Sequence, residues 1–385
     1  MTRPHEPSRR DFLATSALGL LGVALRQGEV RLDEQLLYVG TYTDKDRTDG
    51  VYLLRMDRRS GQLRSVGSID AGPNPSFLAI HPKASVLYAV NEVERGAVAA
   101  FAIAGGSGAL TRMNAAESHG AAPCFVSVDQ SGRVVLVANY DGGSVALLPV
   151  GADGALGAAT SVIRHTGSGP VVDRQSQPHA HCIMPDATNR FALAADLGAD
   201  RVFVYRLDPD AKSLQQVSGG EAVLRPGAGP RHLTFHPTQP LVFVSCELDS
   251  TVATLRFDAE RGALSLRETR STLPVGWTGT NYPADIHVAP SGRTVYVSNR
   301  GHNSIAVFTV AESTGALSLD QTVPTEGDWP RNFSLDPTGR WLLVANQKSN
   351  SIVVFGRDEQ SGRVTPPRQR IEIPSPVCLR FHASP

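Results

Sequence analysis

The sequence is poor in the residues that hold small domains together covalently or through metal ions. Only four of its 385 residues are cysteine, and no two of them form a C-x-x-C pair. This scarcity excludes a disulfide-dense scaffold and argues against a cysteine-ligated zinc site. Cys124, Cys182 and Cys378 lie within strand-like apolar runs, and Cys246 ends another such run. We therefore predict four free, buried thiols.

An excess charge of one sign is also missing, and so is any long helical pattern. Lys plus Arg equals Asp plus Glu, at 37 each, which argues against a nucleic-acid partner. Helical periodicity of useful length is absent after residue 35, whereas 36 glycines and 26 prolines supply turn residues. These features favour a turn-rich β fold.

Residues 281–310 show the pattern that organises the chain. They contain three strand-like runs rich in β-branched, aromatic and small residues, at 285–288, 294–298 and 304–310. Pro, Gly, Ser and Asn occupy the breaks between the runs, and a turn at 313–317 leads into a fourth, edge strand. One four-stranded meander cannot bury both of its faces alone, so it needs neighbours of the same kind.

Those neighbours are present along the rest of the chain. The first-strand motif recurs at 77–82, 125–130, 180–185, 232–237 and 332–337. A repeat of about 50 residues with four strand-like runs is typical of β-propeller blades. Six units carry the full pattern; the unit at 36–70 lacks a first strand, which residues 376–382 can supply. We predict an all-β, seven-bladed propeller over residues 36–385, with four-stranded antiparallel blades and the first blade closed by the C-terminal strand.

Residues 1–35 fall outside the repeat. The segment Ser-Arg-Arg-Asp-Phe-Leu at 8–13 leads into an uncharged stretch, 12–25, that is too short for a stable membrane anchor. It resembles a twin-arginine export signal, with Ala14 where a lysine usually stands. We predict a signal peptide and linker over 1–35, an exported (periplasmic or extracellular) protein, and the twin-arginine export machinery as a partner. The alternatives are an amphipathic leader and an uncleaved anchor.

Residues that most blades share at one position are expected to be structural. Four asparagines occupy one such position, and two histidines occupy another: Asn91, Asn139, Asn299, Asn346, His81 and His236. We predict that the asparagines cap a turn and that the two histidines are polar turn residues.

The candidate functional residues differ from blade to blade at two repeated positions. The entry position, after the proline that opens the first strand, holds Ser76, Cys124, His179, Arg231, Ala284 and Arg331. The exit position, after the second strand, holds Glu92, Tyr140, Leu197, Glu247, Arg300 and Gln347. Both positions are expected at one mouth of the central channel, because inner strands line the axis of a propeller. His181, two residues beyond His179, is expected to point to the same side of its strand.

This set brings two imidazoles, two carboxylates and three guanidiniums toward one axial region. Arginine binds carboxylate or phosphate through paired hydrogen bonds, and a histidine or glutamate among arginines can move a proton. The set therefore predicts an anionic substrate. The alternative is a group of salt bridges between blades around a solvent-filled channel.

Five motifs resemble the seven-bladed lactonase family, which includes propeller-type 6-phosphogluconolactonases and fungal carboxymuconate cycloisomerases. They are Tyr-Val-Gly-Thr-Tyr at 38–42, Gln-Pro-His-Ala-His at 177–181, Gly-Pro-Arg-His-Leu at 229–233, Cys-Glu-Leu at 246–248 and Val-Ser-Asn-Arg-Gly at 297–301. The resemblance covers residues 36–385 and implies the propeller fold and hydrolysis of a sugar-type lactone.

The resemblance also implies roles for individual residues. The cycloisomerase branch uses one His, one Glu and two Arg, which correspond here to His179 or His181, Glu247, Arg231 and Arg300. In a lactonase, Arg231 and Arg300 would stabilise the oxyanion while His181 or Glu247 activates water. Arg331, Glu92 and Tyr140 are further candidates for substrate binding. No G-x-S-x-G motif is present, so no acyl-enzyme is expected. A monomer without cofactor or metal is predicted.

Three other functions stay open from the sequence. One is a non-catalytic, exported binding propeller of surface-layer type, which residues 295–299 also resemble. Another is a carboxymuconate cycloisomerase-like enzyme. The third is a metal-dependent gluconolactonase-like propeller, for which Glu92, Asn139 and Asp196 would have to converge on the axis. Export favours an unphosphorylated aldonolactone or another organic lactone, because a 6-phospho sugar lactone is an intracellular metabolite.

Overall fold

The computed structural model describes residues 33–43 and 49–382. Within these ranges the chain forms seven antiparallel sheets, and no helix there is long and apolar enough to cross a membrane. The predicted seven-bladed propeller with four-stranded blades is confirmed. The predicted export signal at 1–35 lies almost wholly outside the described residues.

The strands follow one another blade by blade. The first three blades contain β1 (Glu34–Thr41), β2 (Asp49–Asp57) and β3 (Leu63–Asp70); β4 (Leu78–Ile80), β5 (Val86–Asn91), β6 (Ala97–Ile103) and β7 (Leu110–Glu117); and β8 (Pro123–Val128), β9 (Val134–Asn139), β10 (Ser144–Pro149) and β11 (Ser161–Arg164). The short helix α1 (Val172–Gln175) lies in the link to the fourth blade.

The remaining blades continue the same order. They contain β12 (Ala180–Pro185), β13 (Phe191–Asp196), β14 (Arg201–Asp208), β15 (Ser213–Gln216) and β16 (Ala222–Val223); β17 (Pro230–Phe235), β18 (Leu241–Cys246), β19 (Thr251–Asp258) and β20 (Ala263–Ser271); β21 (Tyr282–Val288), β22 (Thr294–Arg300), β23 (Ser304–Val310) and β24 (Leu317–Pro324); and β25 (Pro330–Leu335), β26 (Trp341–Asn346), β27 (Ser351–Arg357) and β28 (Val364–Glu372), with β29 (Pro376–Phe381) last. Strand β16 is a fifth, short strand that pairs with β14.

The ring closes through the first blade. Strand β29 pairs antiparallel with β1, from Leu37 opposite Phe381 to Gly40 opposite Cys378. The inner strands β29, β4, β8, β12, β17, β21 and β25 contact one another in that order, and β25 returns to β29. The first blade is therefore built from both ends of the described chain, as the sequence predicted.

Repeated turn glycines join three pairs of neighbouring blades. Tyr38 in the first blade donates its hydroxyl hydrogen bond to the carbonyl of Gly108 in the second, at 2.7 Å, and Tyr88 and Tyr296 reach Gly154 and Gly362 in the same way. Gly108 has φ +76°, and a Cβ there would lie 2.7 Å from the Leu36 side chain. A residue other than glycine would strain the turn and separate the blades.

The repeated asparagines have the predicted structural role. Each donates from its side-chain Nδ2 to a carbonyl in the loop that enters its own blade, at 3.0–3.1 Å. These pairs are Asn91 with Ala71, Asn139 with Ser118, Asn299 with Thr272 and Asn346 with Thr325. His81 and His236 likewise lie in turns, and each contacts a carbonyl of the next blade, at Gly132 and Gly292. All four cysteines are free and buried, as expected.

A β-bulge at the start of the inner strand turns selected side chains toward the axis. In six blades the pairing with the second strand skips one or two residues just after the strand begins. The skipped residues are Cys124, His181, Arg231, His232, Ala284, Asp285, Arg331 and Val377. Bulges commonly re-aim side chains in this way. The sixth blade also shows why the strand predicted at 285–288 starts earlier: Tyr282 and Pro283 pair before the bulge.

The closing strand generates a prediction. Deleting residues 375–385 removes β29, which exposes the edge of β1 and the apolar contacts of Val377, Leu379 and Phe381. We expect aggregation or a large loss of stability, because an unpaired edge recruits other chains. A chain that stops after His382 keeps β29 and serves as the control. Thermal unfolding and size-exclusion chromatography compare the two shortened chains with the full chain. If the chain without residues 375–385 melts like the full chain, β29 does not close the first blade.

Candidate active site

A cavity of about 340 Å³ opens where the inner strands begin. Its walls come from the bulges, from the ends of second strands and from the links between blades. The lining residues are Glu92, Cys124, Tyr140, Arg174, His181, Glu247, Tyr282, Arg300, Trp329 and Arg331. Six of the eight residues predicted from sequence therefore line one cavity, and Arg231 lies directly behind it.

Glu247 is the centre of the charge arrangement. Its Oε2 lies 2.5 Å from Arg300 Nη2 and 2.9 Å from Arg231 Nε, and its Oε1 lies 2.6 Å from Arg174 Nη2. The carboxylate is only 3% exposed. Burial alone would raise its pKa, but the three guanidiniums hold the pKa well below its usual range. Glu247 is therefore an ionised carboxylate with both oxygens engaged, and it binds the arginines in place.

The second carboxylate, Glu92, belongs to a separate group. The Tyr42 hydroxyl lies 2.9 Å from each of its oxygens, and the Ser76 hydroxyl also donates to it. Arg331 Nη2 donates to the Tyr42 hydroxyl at 2.8 Å, and its guanidinium stacks on the Tyr42 ring at 5.3 Å. Arg331 makes no ion pair with any carboxylate in the described ranges, so its positive charge faces the cavity.

His181 brings a neutral base to the wall. Its Nδ1 lies 3.5 Å from Cys124 Sγ, and its ring packs edge-on against Tyr140 and His232, each at 5.3 Å between centroids. Burial, reinforced by the charge of Arg231, lowers the pKa of His181 well below its ordinary value. The imidazole is therefore uncharged at neutral pH.

His179 does not line the cavity. Its ring stacks on Tyr140 at 4.3 Å, and its Nδ1 lies 3.0 Å from the Tyr140 carbonyl. In the fourth blade Ala180, rather than Pro178, pairs with the end of the second strand. His181 is therefore the structural equivalent of Arg231 and Arg331. His179 precedes the strand, because the residue that opens it is Ala180 where other blades have a proline.

Sequence reasoning also missed residues of the cavity. Arg174 comes from the link between β11 and β12, and its Nη2 contacts both Glu247 and the Tyr140 hydroxyl. Gln175 fixes this link by donating to the Leu197 carbonyl and to Asp200. The length of this link is a signal in the sequence that could have pointed to these residues, because the link interrupts the repeat. Trp329 and Tyr282 were missed as well, and both face the Arg300 guanidinium.

The three residues considered for a metal do not converge. Glu92 binds Tyr42 and Ser76, Asn139 caps its turn, and Asp196 lies 2.6 Å from His165 in the blade core. Across 33–43 and 49–382, no group of three His, Cys, Asp or Glu side chains could hold a metal ion. The arrangement instead suits an anion or a developing negative charge, because four guanidiniums lie in or behind the lining with two carboxylates.

Comparisons with known proteins agree with the propeller fold. The sequence model of the family described as lactonase, 7-bladed β-propeller, matches residues 36–381. A 6-phosphogluconolactonase from Bacillus subtilis is 37% identical over 345 residues, which cover 89% of this chain and 97% of the relative. Another 6-phosphogluconolactonase, from Formosa agariphila, is 33% identical and covers 76% and 84%. The solved structure of a periplasmic gluconolactonase from Pseudomonas aeruginosa superposes with a TM-score of 0.86 at 34% identity, covering 91% of this chain and all of that one.

The Glu247 network generates a prediction about pH. The pKa of the folded carboxyl lies below its ordinary value of 4.5, so its ionisation stabilises the fold above about that pH. That contribution is lost as the pH falls from 4.5 through the folded pKa. Glu247→Gln should lower the free energy of unfolding by about 3–5 kcal/mol at neutral pH, because it leaves buried guanidiniums unpaired.

Urea unfolding at several pH values between about 7 and 3 measures this difference. We expect it to be constant at neutral pH and to shrink below pH 4.5. Glu260→Gln changes an exposed carboxylate and is the control. A difference that stays the same at every pH would show that the charge of Glu247 does not stabilise the fold.

Proposed function

This chain belongs to the seven-bladed β-propeller lactonase family, and we propose that it opens a sugar-type lactone by attack of water in the arginine-lined axial cavity. The chain is a lactonase of the 6-phosphogluconolactonase type. Its similarity to proteins of that name extends over most of their length. One observation carries the assignment of the site: a neutral imidazole faces a cavity in which one ionised carboxylate gathers three guanidiniums.

The substrate is bound by side chains that still have N–H groups available for hydrogen bonds. Among the described residues Arg331 donates to one hydroxyl and forms no ion pair, and Arg174, about one-third exposed, stands at the opening. Tyr140, Tyr282 and Trp329 supply ring surfaces beside them. Sugar hydroxyls and a ring ester carbonyl accept hydrogen bonds from guanidiniums, and the aromatic rings pack against the apolar face of the sugar. A cavity of about 340 Å³ accommodates one such molecule.

The chemistry follows from the charges. Water adds to the lactone carbonyl carbon while His181 accepts a proton from it, and the carbonyl oxygen becomes an oxyanion. Arg300, held by Glu247, supplies donors fixed before the reaction to stabilise that oxyanion. Collapse of the tetrahedral intermediate breaks the bond to the ring oxygen, which takes the proton from His181. The product is the open hydroxy acid, which ionises to its carboxylate.

Glu247 and Cys124 have other roles in this proposal. Glu247 is a poor base, because three cations hold its carboxylate ionised, and it serves to orient the arginines. Cys124 stays a protonated thiol, because burial raises its pKa well above the usual value. A thiol in that state is a weak nucleophile, so the proposed reaction passes through no acyl-enzyme.

We further propose that the protein is an exported monomer and that its substrate is an unphosphorylated aldonolactone. The Arg-Arg motif at 8–13 and the similarity to a periplasmic gluconolactonase support this choice. The leader would occupy residues 1–35 and the catalytic domain residues 36–385. The export machinery that accepts twin-arginine signals would be its partner.

The function is tested with purified protein and a lactone panel. Acid release from glucono-δ-lactone and 6-phosphogluconolactone is compared with spontaneous opening, and we expect faster turnover of the unphosphorylated compound. His181→Gln and Arg300→Met should each lower kcat by about a hundredfold, on the scale of losing a general base or an oxyanion donor.

Arg357→Met is the matched control. Arg357 is also a buried arginine, but it contacts the Tyr296 hydroxyl and the Gly339 carbonyl between blades, outside the cavity. The Arg357→Met substitution should lower the melting temperature and leave turnover per folded molecule near the wild-type value. Wild-type hydrolysis in His181→Gln and Arg300→Met would refute the assignment of the site.

Export is tested separately. Replacing Arg9 and Arg10 together with lysine should retain the precursor in the cytoplasm, because the signal depends on the paired arginines. Cell fractionation with immunoblotting of the tagged protein measures this. Normal processing and secretion of the double variant would argue for another route.

A further inference from the structure

We propose that His232 and Asp285 form a buried pair that positions Arg231 behind the active site, so that His232 contributes to lactone hydrolysis without touching the substrate. The inference rests on the proposed function, because Arg231 shares the Glu247 carboxylate with Arg300, the proposed oxyanion donor. Neither His232 nor Asp285 lines the active-site cavity. Both are skipped residues of the inner-strand bulges, in neighbouring blades.

Three groups hold the Arg231 guanidinium, which is buried. Its Nε lies 2.9 Å from Glu247 Oε2, and its Nη1 donates to the Ala284 carbonyl at 2.8 Å. The same Nη1 lies 3.1 Å from His232 Nε2. A guanidinium has donors only, so His232 Nε2 must be the acceptor in that contact. The imidazole is therefore neutral, with its proton on Nδ1.

Asp285 selects this form of the imidazole. Its Oδ1 lies 2.8 Å from His232 Nδ1 and accepts that proton in a hydrogen bond. Its other oxygen accepts from Asn332 Nδ2 at 2.5 Å and lies 3.0 Å from His287 Nε2. These donors keep Asp285 ionised and fixed. A carboxylate at Nδ1 sets the tautomer of a histidine, and here it directs the free lone pair of Nε2 at Arg231.

Three neighbouring rings pack around the His232 imidazole. It meets Phe77 at 5.6 Å, Phe125 at 5.2 Å and His181 at 5.3 Å between centroids, always edge to face. On its far side lies a second axial cavity of about 380 Å³, which His232, Asp285 and His287 help to line. Burial, and then the charge of Arg231, lower the pKa of His232 to about 3, so the acceptor persists across the physiological range.

A second His–Asp pair in the same protein shows what a structural version looks like. His165 Nδ1 lies 2.6 Å from Asp196, and its Nε2 lies 2.5 Å from the Tyr205 hydroxyl. Both pairs are buried and share the same chemistry. The Nε2 of His165 contacts a tyrosine hydroxyl in a blade core, whereas the Nε2 of His232 contacts a guanidinium bound to Glu247. His165 therefore provides a control in which only the target of the imidazole differs.

The test compares His232→Phe, Arg231→Met and the double variant, with His165→Phe as control, by kcat, KM and melting temperature. His232→Phe keeps a ring of similar shape but removes both hydrogen bonds. We expect kcat to fall by about tenfold or more, as is typical when an orienting partner of a functional group is lost. His232→Gln keeps a carbonyl acceptor for Arg231 and should retain more turnover than His232→Phe. It also serves as the readout if the phenylalanine variant folds poorly.

The double variant separates positioning from general destabilisation. If His232 acts through Arg231, its loss adds nothing to Arg231→Met, whereas independent sites multiply their effects. His165→Phe should lower the melting temperature with kcat unchanged. Wild-type turnover in His232→Phe, or multiplied losses in the double variant, would overturn the positioning role alone. Wild-type turnover in Arg231→Met would also overturn this role, whereas the proposed reaction itself is tested separately by His181→Gln and Arg300→Met.

Discussion

Every blade of this protein depends on burying both faces of a twisted four-stranded sheet, which only a closed ring of sheets allows. The pairing of β29 with β1 closes that ring. Tyrosines that reach the turn glycines of the next blade and asparagines that reach the preceding loop keep adjacent blades in contact. The inner strands are then forced around a common axis, and the bulges at their starts direct side chains into it. The site is thus a consequence of closure, because no single blade contains it.

Within the ring, the same ion pairs stabilise the fold and orient the side chains of the candidate site. Glu247 pairs with arginines from the link before the fourth blade and from the fifth and sixth blades. A buried carboxylate with three cations around it stabilises by cancelling charge, and it fixes guanidiniums where an oxyanion is proposed to form. From sequence, salt bridges and catalysis were competing interpretations of these residues. In the structure the ion pairs are the means by which the arginines are oriented.

The sequence predicts the fold well, because a repeat of strands and turns leaves few alternatives. It also predicts the kinds of side chain at the axis, since these break the repeat. It does not predict which histidine enters the cavity, because Pro178 stands two residues before the position that a proline holds in other blades, which here is Ala180. Arg174 escapes prediction because a long link follows no period, and the pairing of His232 with Asp285 escapes it because the two residues are 53 positions apart.

Aromatic and imidazole rings lie between the candidate active-site cavity and the second cavity. His181 and Cys124 lie on one side of the partition, and Phe77, Phe125 and His232 lie on the other. In the proposed reaction an uncharged lactone becomes an anion in a cavity whose guanidiniums outnumber its carboxylates, so the product would be held more firmly than its precursor. Departure of the acid would then limit turnover, and accumulating acid would inhibit its own formation.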